Sequence, residues 1–165
     1  MTMHHDMEEF KRLLAQGDVQ KGYRGLMAYL HSLRTHCASA YPDYAVSGSV
    51  YQGYMDMSYF SVIPASFKRR GLKVAIVFLY DTFRFEVWLA GYNKKVQAVY
   101  WDLFQKGPCI PYYPVPSTAG SDAIIEHVLV EDPEFGDIDA LTRKIVDGAA
   151  VFIRDIEHFL SSHAP

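Results

Sequence analysis

Between Tyr44 and Ala90 the chain alternates apolar and polar residues with a period of two, and on either side of that stretch the apolar residues recur every three or four positions. The first spacing is that of half-buried strands, the second that of amphipathic helices. The alternation is plainest from Leu72 to Ala90, where Asp81-Thr82 lies between two strand-like runs. A two-residue loop there predicts strands over 72–80 and 83–90 that pair Tyr80 with Phe83, Phe78 with Phe85, Ile76 with Val87 and Val74 with Leu89. These pairs form a core face, so Arg84, Glu86 and Trp88 fall on the opposite face, across from Leu79, Val77 and Ala75.

An earlier hairpin is predicted over 44–51 and 54–62, turning at Gln52-Gly53. That register opposes Tyr51 to Tyr54, Ser49 to Asp56 and Ser47 to Ser58, and leaves Val46, Val50, Met55 and Met57 for the apolar side. It depends on the turn, because a slip of one residue exchanges the faces.

Helices are expected over 7–16 and 19–40, the longer one carrying Tyr23, Leu26, Met27, Leu30, Leu33 and Cys37 on one stripe and ending at Tyr41-Pro42. Asn93 is a good cap for a third over 94–105. Four prolines between Pro108 and Gly120 predict an extended loop over 108–120 that could fold over a site as a lid. A fifth strand is expected over 123–130 and a last helix over 138–160, with residues 1–6 as a flexible lead-in. The predicted fold is one α+β domain over residues 1–165: a mainly antiparallel sheet of about five strands built from two hairpins, with helices packed on one face.

Composition narrows the class. Half of the 165 residues are hydrophobic and 21% are charged, as expected of a globular chain. A net charge of -3 gives no broad basic footprint, which argues against nucleic acid as a partner. The run Lys68-Arg69-Arg70 reads as a solvated turn before the strand at Leu72. Two cysteines, Cys37 and Cys109, are too few for a disulfide framework. No basic leader precedes an apolar stretch, and no window approaches the roughly 18 apolar residues of a membrane span. A cytoplasmic protein is the expectation.

The segments Ser47-Gly48-Ser49-Val50-Tyr51-Gln52-Gly53-Tyr54-Met55-Asp56-Met57-Ser58-Tyr59-Phe60, Arg84-Phe85-Glu86-Val87-Trp88-Leu89-Ala90-Gly91 and Gln97-Ala98-Val99-Tyr100-Trp101 resemble a family of uncharacterised prokaryotic proteins known only as a domain of unknown function. The likeness runs from Gly22-Tyr23-Arg24-Gly25-Leu26 through the last helix. It implies no activity and assigns no catalytic residue.

Candidate chemistry gathers on the polar hairpin face, where Tyr51, Tyr54 and Asp56 are expected beside Arg84, Glu86 and Trp88. A ring can stack, a guanidinium can hold a carboxylate or phosphate, and the acids can accept hydrogen bonds or move protons. The same mix suits a subunit interface, so a homo-oligomer is expected. Metal-dependent nucleases place an Asp before Glu-x-Lys; here Asp56 is followed by Glu86-Val87-Trp88, with tryptophan in the lysine position. His31 and His36 lack the i,i+4 spacing of paired ligands, and Glu126 and His127 are adjacent, hence on opposite faces. No P-loop, dinucleotide glycine pattern, G-x-S-x-G or H-E-x-x-H is present, so no metal or cofactor is expected. The reading is a non-catalytic module that binds a small polar or anionic ligand, a protein or its own copy; the alternative is a small enzyme with Glu86 or Asp56 as base and Arg84 as anion clamp.

Overall fold

The computed structural model describes residues 1–165. Five strands form one antiparallel sheet in sequence order: β1 (Ala45–Val46), β2 (Met57–Ile63), β3 (Leu72–Leu79), β4 (Arg84–Gly91) and β5 (Ala123–Glu131). Helices α1 (Met3–Gln16) and α2 (Asp18–Ala40) precede it, α3 (Ala65–Arg69) and α4 (Lys94–Lys106) interrupt it, and α5 (Ile138–Ser162) follows. The chain is α+β, as its patterning predicts, and none of its helices is long and apolar enough to cross a membrane.

The β3–β4 hairpin has the predicted register: Phe78 pairs with Phe85, Ile76 with Val87 and Val74 with Leu89, all six buried. Over this face lie α2, through Leu30, Leu33 and Cys37, and α5, through Ile145, Phe152 and Ile156. Full burial of such side chains stabilises by roughly 1.5–3 kcal/mol each, so the hairpin and the two long helices specify one another.

The first hairpin departs from expectation. Only Ala45 and Val46 pair with β2, opposite Ile63 and Val62, and a single further bridge joins Tyr51 to Tyr59 rather than to Tyr54. The predicted two-residue turn is instead a wide loop, Gln52 to Asp56. Asp56 Oδ1 accepts the Tyr54 amide at 2.9 Å, Ser58 Oγ donates to the Gln52 carbonyl, and Gly53 and Met55 take φ of 72° and 62°. The longer loop changes the phase of β2, so Ser58, Phe60 and Val62 turn to the helices while Met57, Tyr59 and Ser61 turn away. The core prefers Phe60 and Val62 to Tyr59 and Ser61 because they have no polar atom to desolvate. Val46 and Val50 join the core as expected; Met55 and Met57 do not.

Other boundaries shift for local reasons. The first helix starts at Met3, where Thr2 caps it, so residues 3–6 of the expected flexible lead-in are helical. The basic run belongs partly to α3 rather than to a plain turn, and Arg70 donates to the Leu160 carbonyl of α5. The proline loop is not a lid. Val115 N donates to the Ile124 carbonyl, Trp101 Nε1 to the Val115 carbonyl at 2.8 Å, and the Tyr112 hydroxyl to Asp155 at 2.9 Å, so the loop closes the outer edge of β5 against α4 and α5. His127 faces the core, its ring 4.7 Å from that of Tyr112 and 6.2 Å from that of Phe152, while Glu126 pairs with Trp88 on the other side.

Candidate functional site: the open sheet face

The sheet face turned away from α2 and α5 is laid out in rows set by the register. Met57, Leu79, Arg84 and Glu131 form the first; Tyr51, Tyr59, Val77, Glu86 and Val128 the second; Ser61, Ala75, Trp88 and Glu126 the third. At about 4.8 Å per strand, Tyr59 and Glu86 stand roughly 10 Å apart with Val77 between them. Chemistry therefore changes across the face, from hydroxyls and rings at the β1 edge to charges at the β5 edge.

At the charged end Glu86 is only 2% exposed. Its Oε2 accepts from Arg84 Nε at 2.7 Å and its Oε1 from Trp88 Nε1 at 2.8 Å, both donors lying two positions away on the same strand. Alternation along a strand brings these three side chains to one face without tertiary help. Arg84 also reaches Glu131 at 3.5 Å. The guanidinium is thus engaged with two carboxylates, which disfavours the anion-clamp role. Glu126 lies beside this cluster, and partial burial, then the neighbouring Glu86, push its carboxyl above the usual range while Arg84 opposes the rise.

At the other end the chain bulges off β2 between Val46 and Tyr51 and leaves a cleft of about 560 Å³. Ser47, Ser49, Tyr51, Gln52, Tyr54, Tyr59 and Ser61 supply its polar groups, and no charged side chain lines it. The rings of Tyr51 and Tyr59 are 4.9 Å apart and tilted by 32°. Ser47 Oγ accepts the Ser61 amide and donates to the Ser49 carbonyl, which fixes the cleft wall. Tyr54 is 92% exposed at the rim.

The six residues singled out from sequence therefore separate. Arg84, Glu86 and Trp88 form one cluster, and Tyr51 and Tyr54 line the cleft. Asp56 joins neither. Backbone amides of Tyr54 and Met57 hold its carboxyl below the usual range, and it serves to shape the loop. The sequence reading missed Tyr59 and Ser61 as cleft residues and Glu126 as a member of the charged cluster. The alternation of Tyr59 and Ser61 with Phe60 and Val62 carried the signal for two of them; the phase fixed by the loop was what was lacking.

The family described as Domain of unknown function (DUF7000) matches residues 3–160. No curated protein and no solved structure matches the chain.

Proposed function

The chain belongs to the domain-of-unknown-function family DUF7000, and we propose that it is a non-catalytic binding module whose open sheet face holds a small, neutral, polyhydroxylated ligand in the serine and tyrosine cleft. The observation that carries this reading is the lining of that cleft: hydroxyls and an amide, each able to donate and accept, beside two tyrosine rings and no charge. A sugar-like molecule presents matching hydroxyls and an apolar ring face that stacks on tyrosine. The volume falls within the roughly 300–1,000 Å³ of small-molecule sites. Of the two ligand classes expected from sequence, the geometry favours the polar one, because Arg84 is spent on Glu86 and Glu131. The module acts in the cytoplasm and as a homo-oligomer in this reading, and the two free cysteines suit a reducing compartment.

Neutral mono- and disaccharides, with citrate as an anion and spermidine as a cation, are the probes for a thermal-shift test. A ligand at one hundred times its Kd stabilises by about 2.7 kcal/mol, which raises Tm by roughly 5–10 °C in a chain of this size. Stabilisation by a saccharide that disappears in Tyr59→Ala and Ser61→Ala supports the reading. Stabilisation by citrate alone, lost in Arg84→Ala, would replace it.

One observation favours the enzymatic alternative, and it moves the role of the base from Glu86 or Asp56 to Glu126. Glu126 faces solvent beside Glu86, its carboxyl pushed up by partial desolvation and then by that neighbour, and so suits proton transfer better than Glu86, which is already bonded through both oxygens. Loss of orders of magnitude in a measured turnover on Glu126→Gln, with binding retained, is what that alternative requires.

A further inference from the structure

The first helix and a second, apolar groove, which meets the cleft at the loop carrying Tyr54 and Met55, each lack a partner. Met3, Met7, Phe10 and Leu14 follow one another at intervals of four, three and four along α1, which places them on one stripe. None of the residues of α1 is buried; Met7 and Phe10 remain 49% and 48% exposed. An apolar groove of about 560 Å³ lies between the start of α2 and the tips of the strand loops, lined by Val19, Tyr23, Leu26, Tyr80, Phe83 and Phe135 among others. Its rim carries Met55 and Phe83, 45% and 51% exposed, with φ of 62° and 50°. Such strained positions persist only where the surrounding structure holds them.

The helix cannot fill its own groove. One residue, Gly17, separates α1 from α2, whereas two helices folding back on each other need about 2–5 connecting residues. The corner is also fixed: Gly17 has φ of 80°, its amide and the Gln20 side chain both donate to the Leu14 carbonyl, and the groove begins only one residue later, at Asp18. So α1 is presented outward at a set angle. A membrane is a poor occupant for its stripe, since Asp6, Glu8 and Glu9 outnumber Lys11 and Arg12, where interfacial helices are rich in basic residues.

We propose that α1 of one protomer lies in the groove of a second copy and that its own groove receives the partner's first helix, so that the chain forms a two-fold dimer by reciprocal helix docking. Each copy carries both halves of the contact, as a closed two-fold interface demands. A 14-residue helix is about 21 Å long and, docked on one face, covers on the order of 400 Å² of its own surface. Two such contacts, counted on both sides, come to roughly 1,600 Å², the size of a standard specific interface. Fixed presentation of the helix lowers the ordering cost of association. The groove and the serine and tyrosine cleft have no lining residue in common, but they meet at the Gln52–Asp56 loop, where Tyr54 lines the cleft and Met55 the groove.

Light scattering on the full chain at tens of micromolar tests the proposal. The expected mass is twice the 18.8 kDa of one chain. Phe10→Asp should raise the dimer dissociation constant by more than tenfold, and so should Phe83→Asn and Met55→Asn on the groove rim. Asparagine accepts the left-handed backbone at both rim positions, so these variants keep the fold, which their melting curves check. A wild type that remains 18.8 kDa across this range overturns the proposal. So does a dimer that is lost with Phe10→Asp but survives both rim variants, because it would place the first helices against each other.

Discussion

The indole of Trp88 donates to Glu86 Oε1 at 2.8 Å while Arg84, two residues before the glutamate, donates to its other oxygen at 2.7 Å. A carboxylate that is almost wholly removed from water is thus held from both sides by its own strand. Hydrogen bonds to charged groups contribute about 1.5–3 kcal/mol, and a charge that loses its partner in a buried site costs more.

The variants of this cluster are expected to rank accordingly. Trp88→Phe keeps the ring but removes the donor and should cost about 1–2 kcal/mol in urea unfolding. Arg84→Met should cost more, about 3 kcal/mol, because it leaves Glu86 buried without its cation. The double variant Arg84→Met/Glu86→Met should recover part of that loss. Equal costs for Trp88→Phe and Arg84→Met would show that the pairing carries no weight.

Gly53 shapes the cleft through its backbone. At φ of 72°, an added Cβ would lie 2.0 Å from the Met57 carbonyl oxygen and 2.7 Å from the Asp56 carboxylate. Gly53→Ala is therefore expected to cost at least about 1–2 kcal/mol from the left-handed backbone alone, and to displace the loop. Saccharide binding should weaken with it. A variant as stable as the parent would mean that the loop takes another course.

Glu126 gives a pH signature. Its carboxyl is raised in the folded chain, so folding favours the protonated form: the stability is fully present below the unfolded value near 4.3 and falls as pH rises through the higher folded value. Glu126→Gln removes that loss. The variant should match the parent near pH 4 and melt slightly higher at pH 7, the gain being small because the side chain is only partly desolvated and solvent still reaches it. A variant that melts lower at pH 7 would contradict the assigned sign.

How much of this was legible in the sequence depended on what fixed the register. The Leu72–Ala90 hairpin could be read residue by residue because both of its strands alternate and its turn is short. In the first hairpin the turn residues Gln52-Gly53 suggested a tight connection, and only the side-chain bonds of Asp56 and Ser58 reveal the wide loop. That difference decided which face Tyr59 and Ser61 occupy, and with it half of the candidate site. Arg84, Glu86 and Trp88 were legible as a group since i,i+2 spacing on a strand guarantees a shared face. Glu126 was not, because its placement rests on the two irregularities in the β4–β5 register. The edge-closing course of the proline loop was equally hidden, as it depends on Trp101 and Asp155, donor and acceptor from two different helices.

The most direct test of the binding account is a backbone amide NMR titration with the neutral saccharides used for thermal shift. The account predicts shifts confined to residues 47–54 and 59–61, saturating with the same dissociation constant that the melting data give, and no consumption of the sugar. Absence of any shift at these amides with every saccharide, or shifts centred on Arg84 with anions instead, would contradict it.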